Sequence, residues 1–580
     1  MKLRETFWPI LLCAVATFLA LVLVNFRAAD TASRIILVPI AATPLDEVYT
    51  VATERSEDEN ELDAGPRLTW EEASDPAYAE ARQLMARGEM PQAQQKYEEL
   101  LARQPSSRIL NDLGLLHLFQ REAEQALSYF DRAVRTEPLF PPSLYNRGLA
   151  LAELDRQEAA LQSYRDALVL MPYHFEAHYR SALALIRLGQ GEEALQSFIR
   201  ASGLAAGEKR ARALYNAGVV SRRLGRGEEA RDFFQEAIRL QPGYLRARLA
   251  LVSLQPADRT GRERALQEYE QILQLNPNFA PTWFHLGRHH SVAGDRPKAV
   301  EAYTQAIRLF PDYGTARYNL GLALIAEERW GEARSQFEWL LARNPEQAEN
   351  YFNLGRTAFG EGRLEEAATA YRKAIALRGN DYPEAHFNLG LVHAARKSDA
   401  EAIAAYQEAL QQQAHYWPEA HYNLGLAFLR QGEQQQAETA FRQAVEQAPR
   451  YERAWYNLGV LYARQGQDEA AVRALQQALA IRPDYPEARL NLGVRFAQLG
   501  RYEEAIREYR LLLAKDATSA SAWFNLGLAQ AELKQFAQAG EAFRRVMELE
   551  PENVRALRQL GELLMAEKKY KEAVRVLRRA

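Results

Sequence analysis

The side chains in this sequence best suited to holding another molecule are carboxamides. Asparagine recurs at Asn146, Asn216, Asn319, Asn353, Asn388, Asn423, Asn457, Asn491 and Asn525. A carboxamide carries both a donor and an acceptor, so a row of them could pair with the C=O and N–H groups of an extended main chain without reading its side chains. Beside the row runs an aromatic series that includes Tyr318, Phe387, Tyr422 and Tyr456, and an apolar series that includes Leu391, Leu426 and Val460. Apolar neighbours of this kind would add affinity by burial. The alternative is that asparagine at this place serves only packing or helix solubility.

Other chemistry finds less support. His285 and His289 stand four residues apart, as do His174 and His178, a spacing that puts two imidazoles on one helix face. No cysteine or ordered carboxylate completes either pair into a metal site. Cys13 is the only cysteine, which excludes structural disulfides. There is no phosphate loop, nucleophile elbow or metalloprotease helix, and Glu192-Glu193 and Glu503-Glu504 stand where helices begin and acidic residues complement the dipole. The expectation is a protein with no catalytic residues, no metal and no cofactor.

What must position the carboxamides is a repeat. Asn457 belongs to Ala454-Trp455-Tyr456-Asn457-Leu458-Gly459, and the small residue of that phrase returns as Gly114, Gly148, Ala182, Gly218, Gly287, Gly321, Gly355, Gly390, Gly425, Gly459, Gly493, Gly527 and Gly561. Most steps are 34 residues, as from Gly459 to Gly493. A fixed period of this length indicates a solenoid. Within one unit, Trp283, Leu286, Gly287 and His290 form one helical stripe, and Ala299, Tyr303 and Ala306 form a second. Ala293-Gly294-Asp295 makes the turn between them, and Pro311 stops the second helix. Each unit is therefore a helical hairpin, with Gly287 and Ala299 at the close approach and Trp283 and Tyr303 supplying bulk. Pro383, Pro418 and Pro486 open first helices. At about 100 degrees per residue, Asn457 falls on the face opposite Trp455, Leu458 and Gly459, with Val460 beside it and Tyr456 at its flank.

The pattern of Trp455, Leu458, Gly459, Tyr462, Ala471, Ala478 and Pro483 resembles the tetratricopeptide repeat, and the resemblance runs from about residue 74 to 580. About fifteen units fit it, the first marked by Ala81, Ala93, Tyr97 and Pro105 and the last by Gly561 and Ala573. The resemblance implies an all-α, right-handed α-solenoid with a concave groove that holds peptides or partner proteins, and it implies an adaptor more than a catalyst. The asparagine row is similar to the ladder in the repeat region of O-linked N-acetylglucosamine transferase, whose catalytic domain has no counterpart here. A carboxylate clamp of the kind some members carry is incomplete, since Asn146 and Arg180 are present but Glu176 stands where a lysine is needed.

The solenoid is interrupted. Val252 replaces the expected glycine, the turn is expanded around residues 255 to 261, and Arg180, Ala250 and His285 replace asparagine. His285, Arg288, Arg222 and Arg223 could admit an acidic partner locally. The array accordingly divides into a first sub-array at 74–245, a degenerate unit and bend at 246–279, and a second sub-array at 280–580. The ladder's main binding stretch is expected between Tyr318 and Phe524. At the end no polar capping helix follows, which would allow self-association through the last unit.

Ahead of the repeats, Phe7 to Val24 is uncharged and long enough to span a bilayer, and residues 1–26 read as a transmembrane anchor in preference to a cleaved signal. Lys2 and Arg4 on one side and Arg27 and Arg34 on the other leave the orientation open, with a lean towards a cytoplasmic N-terminus. Residues 27–73, acidic at Glu57-Asp58-Glu59 and Glu61, read as a partly disordered tether. The balance of 72 basic against 76 acidic residues gives a net charge of -4 and speaks against nucleic acid as a partner. The reading that follows is a single-pass membrane scaffold, in a bacterium an inner-membrane protein with its repeats in the periplasm, serving an envelope assembly. The alternative is a non-catalytic, substrate-presenting arm of a glycosyltransferase system.

Overall fold

The computed structural model describes residues 75–256, 258–413 and 416–579. The expected anchor at 1–26 and tether at 27–73 lie outside these residues. The described residues form thirty α-helices and no strand, and none of these helices is long and apolar enough to cross a membrane. Taken in consecutive pairs, the thirty helices make fifteen hairpins.

One hairpin explains the others. Pro383 occupies the first turn of the helix Pro383–Ala395, where its missing N–H leaves nothing unpaired, and Glu384 sits beside it at the positive end of the dipole. The helix stops at Arg396, and Lys397 turns the chain with a φ of +60° before Asp399–Gln412 begins. Every hairpin but one has a positive φ at this turn. Glycine supplies it at Gly88, Gly189, Gly225, Gly294, Gly362, Gly432, Gly466 and Gly500, while Arg121, Asp155, Glu328, Lys397, Lys534 and Lys568 adopt it with a side chain attached.

The two helices close on a glycine and an aromatic ring sixteen residues apart. A Cβ on Gly390 would lie 2.5 Å from the Tyr406 ring, one on Gly218 2.6 Å from Phe234, and one on Gly425 2.7 Å from Phe441. These rings, with Tyr303 and Phe543, are wholly buried, and alanines such as Ala402, Ala409, Ala471 and Ala478 fill the rest of the seam without exposure. Burying one such ring is worth about 1.5–3 kcal/mol.

Contacts divide the chain into two compact units, one ending at Gln336 and the other beginning at Phe337. This division falls elsewhere than the sequence-based division at 246–279. Within each unit the core is a run of clusters passed from hairpin to hairpin. One joins Phe387, Tyr406, Trp417, Phe441 and Leu461, and another joins Leu144, Tyr145, Tyr164 and Ala177. The degenerate hairpin belongs to the unit ending at Gln336. Its first helix is cut to Leu245–Val252, and its second lengthens to Arg259–Leu275, capped by Asp258, whose carboxylate accepts from Gly261 N at 2.7 Å. Val252 is buried against Tyr269, Ile272 and Leu286, so the side chain that replaces glycine is absorbed by the core.

Candidate functional site

The first helix of each hairpin carries the ladder. In the unit beginning at Phe337, Asn353 and Asn388 are 1% and 2% exposed, and Asn423, Asn457, Asn491 and Asn525 are half-buried. Tyr318 and Asn319, both half-buried, belong to the other unit. Tyr422, Tyr456, Leu426 and Val460 are half-buried, but Phe387 and Leu391 are 0% and 4% exposed and lie in the core rather than along an open groove. The cause is the linker to the next hairpin, which folds over the flank of the first helix. Phe387 packs between Tyr406 of its own hairpin, at 5.6 Å between ring centres, and Trp417 of the next linker, at 5.0 Å. Tyr422 meets Phe441 at 5.9 Å and Tyr451 at 5.0 Å in the same way, and Tyr456 meets Tyr485 at 5.0 Å.

The carboxamides are also engaged. At six rungs Nδ2 turns back onto the carbonyl four residues earlier: Asn319 onto Thr315 O at 2.8 Å, Asn353 onto Glu349 O at 3.0 Å, Asn388 onto Glu384 O at 2.8 Å, Asn423 onto Glu419 O at 2.8 Å, Asn457 onto Arg453 O at 3.0 Å and Asn525 onto Ser521 O at 2.9 Å. This fixes the amide orientation and leaves Oδ1 as the acceptor offered outward, except at Asn353, whose Oδ1 accepts from Arg356 Nη1 at 2.9 Å.

A second set of bonds joins successive hairpins. Asn457 Nδ2 donates to Tyr422 Oη at 3.2 Å, Asn491 Nδ2 to Tyr456 Oη at 3.3 Å and Asn216 Nδ2 to Tyr179 Oη at 2.7 Å. Near the start of the array the polarity reverses, and Tyr78 Oη donates to Asp112 Oδ2 at 2.7 Å. Arg180 stands at the same register and hydrogen-bonds the Tyr145 phenol. Burial raises the Tyr145, Tyr422 and Tyr456 phenols well above their usual range, so they are neutral donors and acceptors throughout the physiological interval. At Asn216, Asn457 and Asn491 the ladder position is therefore also a staple between neighbours, a role that helical phase alone does not reveal.

The tryptophan position holds another regular bond. Trp283, Trp455 and Trp523 are only partly buried, and their Nε1 atoms donate to the carbonyl six residues earlier, at 2.8, 3.0 and 2.9 Å. Arg248, Arg317 and Arg489 make the same bond to Pro242, Pro311 and Pro483, and His178 and His386 place Nε2 on Pro172 O and Asn380 O. Types as unlike as Trp, Arg and His alternate because the place calls for an N–H on a reach of that length. His178 thus has a partner, and His174 caps a helix, its Nδ1 accepting from Ala177 N at 3.2 Å. His285 packs beside Phe284 and Tyr269, with Arg288 and Arg222 near, and burial lowers its pKa to about 3. Among the described residues no group of three or more metal-ligating side chains is arranged to hold an ion.

Charges along the ladder are uneven. Glu349 pairs with Arg378, whereas Glu419, in the first turn of Pro418–Gln431, makes no ion pair among the described residues, and burial raises its pKa against the opposing pull of its own backbone N–H.

The same repeats are recognised when the chain is compared with known proteins. No curated protein matches it. Among solved structures it is similar to a chain of the APC/C hetero-tetramer Cut9–Hcn1, at 15% identity over 79% of this chain and 96% of that one, with a TM-score of 0.35. It is also similar to the MamA protein, at 24% identity over 30% and 95% with a TM-score of 0.29, and to MamA 41-end from Desulfovibrio magneticus RS-1, at 22% over 27% and 90% with a TM-score of 0.27. The tetratricopeptide repeat matches at residues 78–138, 111–175, 179–244, 284–334, 318–382, 375–416, 414–451, 422–486 and 530–580, and a TPR repeat at 493–534. Matches of one repeat type over this much of the sequence, on the hairpins described above, establish that the chain belongs to the tetratricopeptide repeat family.

Proposed function

We propose that this protein is a non-catalytic scaffold that holds an extended peptide or a partner protein along its asparagine ladder. The observation that carries the reading is the common orientation of the amides. With Nδ2 tied to the helix, successive hairpins repeat an acceptor oxygen beside half-buried rings such as Tyr422 and Tyr456 and apolar side chains such as Leu426 and Val460. A peptide main chain needs such acceptors for its N–H groups, and partly exposed apolar surface gains by being covered. Tetratricopeptide repeats generally bind protein partners, which agrees with this.

The uncharged stretch from Phe7 to Val24 supports a membrane anchor, and the scaffold would then stand on a bacterial inner membrane with its repeats in the periplasm, in an envelope assembly. Affinity capture from native membranes, with wild type beside Asn388→Ala/Asn423→Ala/Asn457→Ala, tests the ladder. Loss of at least one partner is expected, and equal recovery of every partner would remove the reading. A reporter fused to the C-terminus tests the side of the membrane.

A further inference from the structure

A second groove lies on a face turned away from the ladder, within the unit ending at Gln336. Its floor is the helix Phe175–Arg187, through Ser181 and Leu185. Its walls are the helix Gln157–Leu170, through Leu161, Arg165 and Leu168, and the helix Gly191–Leu204, through Glu193, Arg200 and Gly203. At about 100 degrees per residue, Ser181 and Leu185 stand about 100 and 140 degrees round their helix from Arg180, the ladder position. A ligand here leaves the asparagines untouched. The cavity holds about 920 Å3, within the range of sites that take a ligand.

Its size has a local cause. The other second helices of fourteen residues carry a side chain at the place of Gly203, one before the helix end, as Val169, Arg239, Arg308 and Glu446 do. A Cβ on Gly203 would find nothing within 4 Å, so this place is open. Two hairpins earlier, Arg132 and Arg135 stand at the places of Arg200 and Gly203, and the equivalent cavity shrinks to about 290 Å3.

The groove is lined for an apolar body and one anion. Val169 and Tyr173, which also line it, are 80% and 81% exposed, above the buried Leu161 and Leu185. Covering such side chains is favourable. Arg165 meets Glu193 at 2.9 Å and ties one wall to the other, and Glu192 is taken by Arg226. Among the described residues Arg200 has no such partner, whereas its counterpart Arg132 lies over the Tyr129 ring at 5.3 Å. A guanidinium with no carboxylate against it is matched by one from a ligand.

We infer that this groove takes a peptide segment of a partner protein, with an aromatic or branched apolar side chain seated over Gly203 against Val169 and Tyr173 and a carboxylate on Arg200. Arg200 and Gly203 are one helical turn apart, about 4.5 Å along the groove, so the two groups lie close together in the peptide. From Glu193 to Leu204 the wall runs about 16 Å, the length of about five extended residues. The site is separate from the ladder and does not depend on it.

The test is equilibrium binding by fluorescence anisotropy, with the full chain and three labelled synthetic peptides of one length. The first carries a leucine-phenylalanine pair followed by a glutamate pair, the second has glutamines for the glutamates, and the third has serines for the apolar pair. Wild type should bind the first about tenfold more tightly than either other. Arg200→Gln should remove the preference for glutamate over glutamine and keep the preference for the apolar pair. Gly203→Leu fills the groove with a residue that favours helix, so it should weaken the first peptide about tenfold while the melting temperature holds or rises. Tyr173→Ser, at an exposed ring, should weaken it as well and guards against a disturbed helix in Gly203→Leu. Asn388→Ala/Asn423→Ala/Asn457→Ala should bind the first peptide as wild type does, which separates this site from the ladder. Equal binding of the first two peptides by wild type, a glutamate preference that survives Arg200→Gln, or full binding by both Gly203→Leu and Tyr173→Ser would overturn the inference. So would a chain that self-associates in sedimentation and becomes smaller in Gly203→Leu, since a second copy would then fill the groove.

Discussion

The carboxamide of Asn457 donates to the phenol oxygen of Tyr422 in the preceding hairpin, at 3.2 Å, and Asn491 repeats the bond with Tyr456. The contact adds a polar bond to a junction that Tyr422 also packs through its ring against Tyr451. Tyr422→Phe keeps the ring against Phe441 and Tyr451 and removes only the acceptor, so it should cost about 0.5–1.5 kcal/mol. In a double-mutant cycle with Asn457→Ala, urea unfolding should show positive coupling, and strictly additive losses would mean that the bond contributes nothing.

Close approach sets the second expectation. Gly390→Ala drives a Cβ to 2.5 Å from the Tyr406 ring, which is held on all sides, whereas Gly459→Ala meets the Cγ of Leu475 at 2.8 Å. Overpacking of this kind costs about 1–3 kcal/mol. Gly390→Ala should be the more damaging, because a leucine can change rotamer and a buried tyrosine ring cannot. Thermal melts of the two variants decide it.

Much of this was legible before any coordinates. The period, the hairpin, the glycine seam and the buried set from Ala81 and Tyr97 to Gly561 follow from spacing, because each is a property of one unit. The ladder was only half legible. Phase about a helix axis places Asn457 away from Leu458, but it does not say that the next hairpin's linker will fold over the flank and bury Phe387 and Leu391. Nor does it say that the preceding hairpin's tyrosine will reach the amide. Those neighbours come from other units, and their position depends on how hairpins stack. The regular exchange of Trp455 with Arg489 and His386 was the one available sign that an N–H, as well as bulk, is required at that place.

That sign can be tested. Trp455→Phe preserves most of the ring and deletes the bond to Pro449 O, and should lower stability by about 1 kcal/mol. Trp455→Arg should recover part of the loss, as Arg489 makes the equivalent bond to Pro483. A tryptophan acting through bulk alone would show the opposite order in urea titrations.

The turns offer a gain. Gly432 has a φ of +85° and open space around it, so Gly432→Ala should cost about 1 kcal/mol through backbone strain alone. Lys397 holds a φ of +60° with a side chain, and Lys397→Gly should be neutral or raise the melting temperature.

The pH dependence of stability should carry a mark of His285. Burial and the adjacent Arg288 and Arg222 lower its pKa from 6.5 to about 3. Above pH 6.5 it is neutral whether the chain is folded or not. As pH falls below 6.5 the unfolded chain takes up a proton that the folded one refuses, so stability is lost progressively down to the folded-state pKa. Between pH 6.5 and about 5, before carboxylates intervene, wild type should lose more stability than His285→Gln. Parallel curves for the two proteins would contradict this.

The staple between Tyr422 and Asn457 also bears on how such a chain can change length. The hydroxyl that Asn491 takes from Tyr456 is presented again, one hairpin earlier, by Tyr422. Excision of residues 457–490 would join Tyr456 directly to Asn491 and bring that amide to the hydroxyl of Tyr422 at the spacing Asn457 now occupies. Shortening or duplication by whole periods thus rejoins like with like, so the array can be resized while its contacts keep their grammar, and selection on ligand length can act independently of selection on folding.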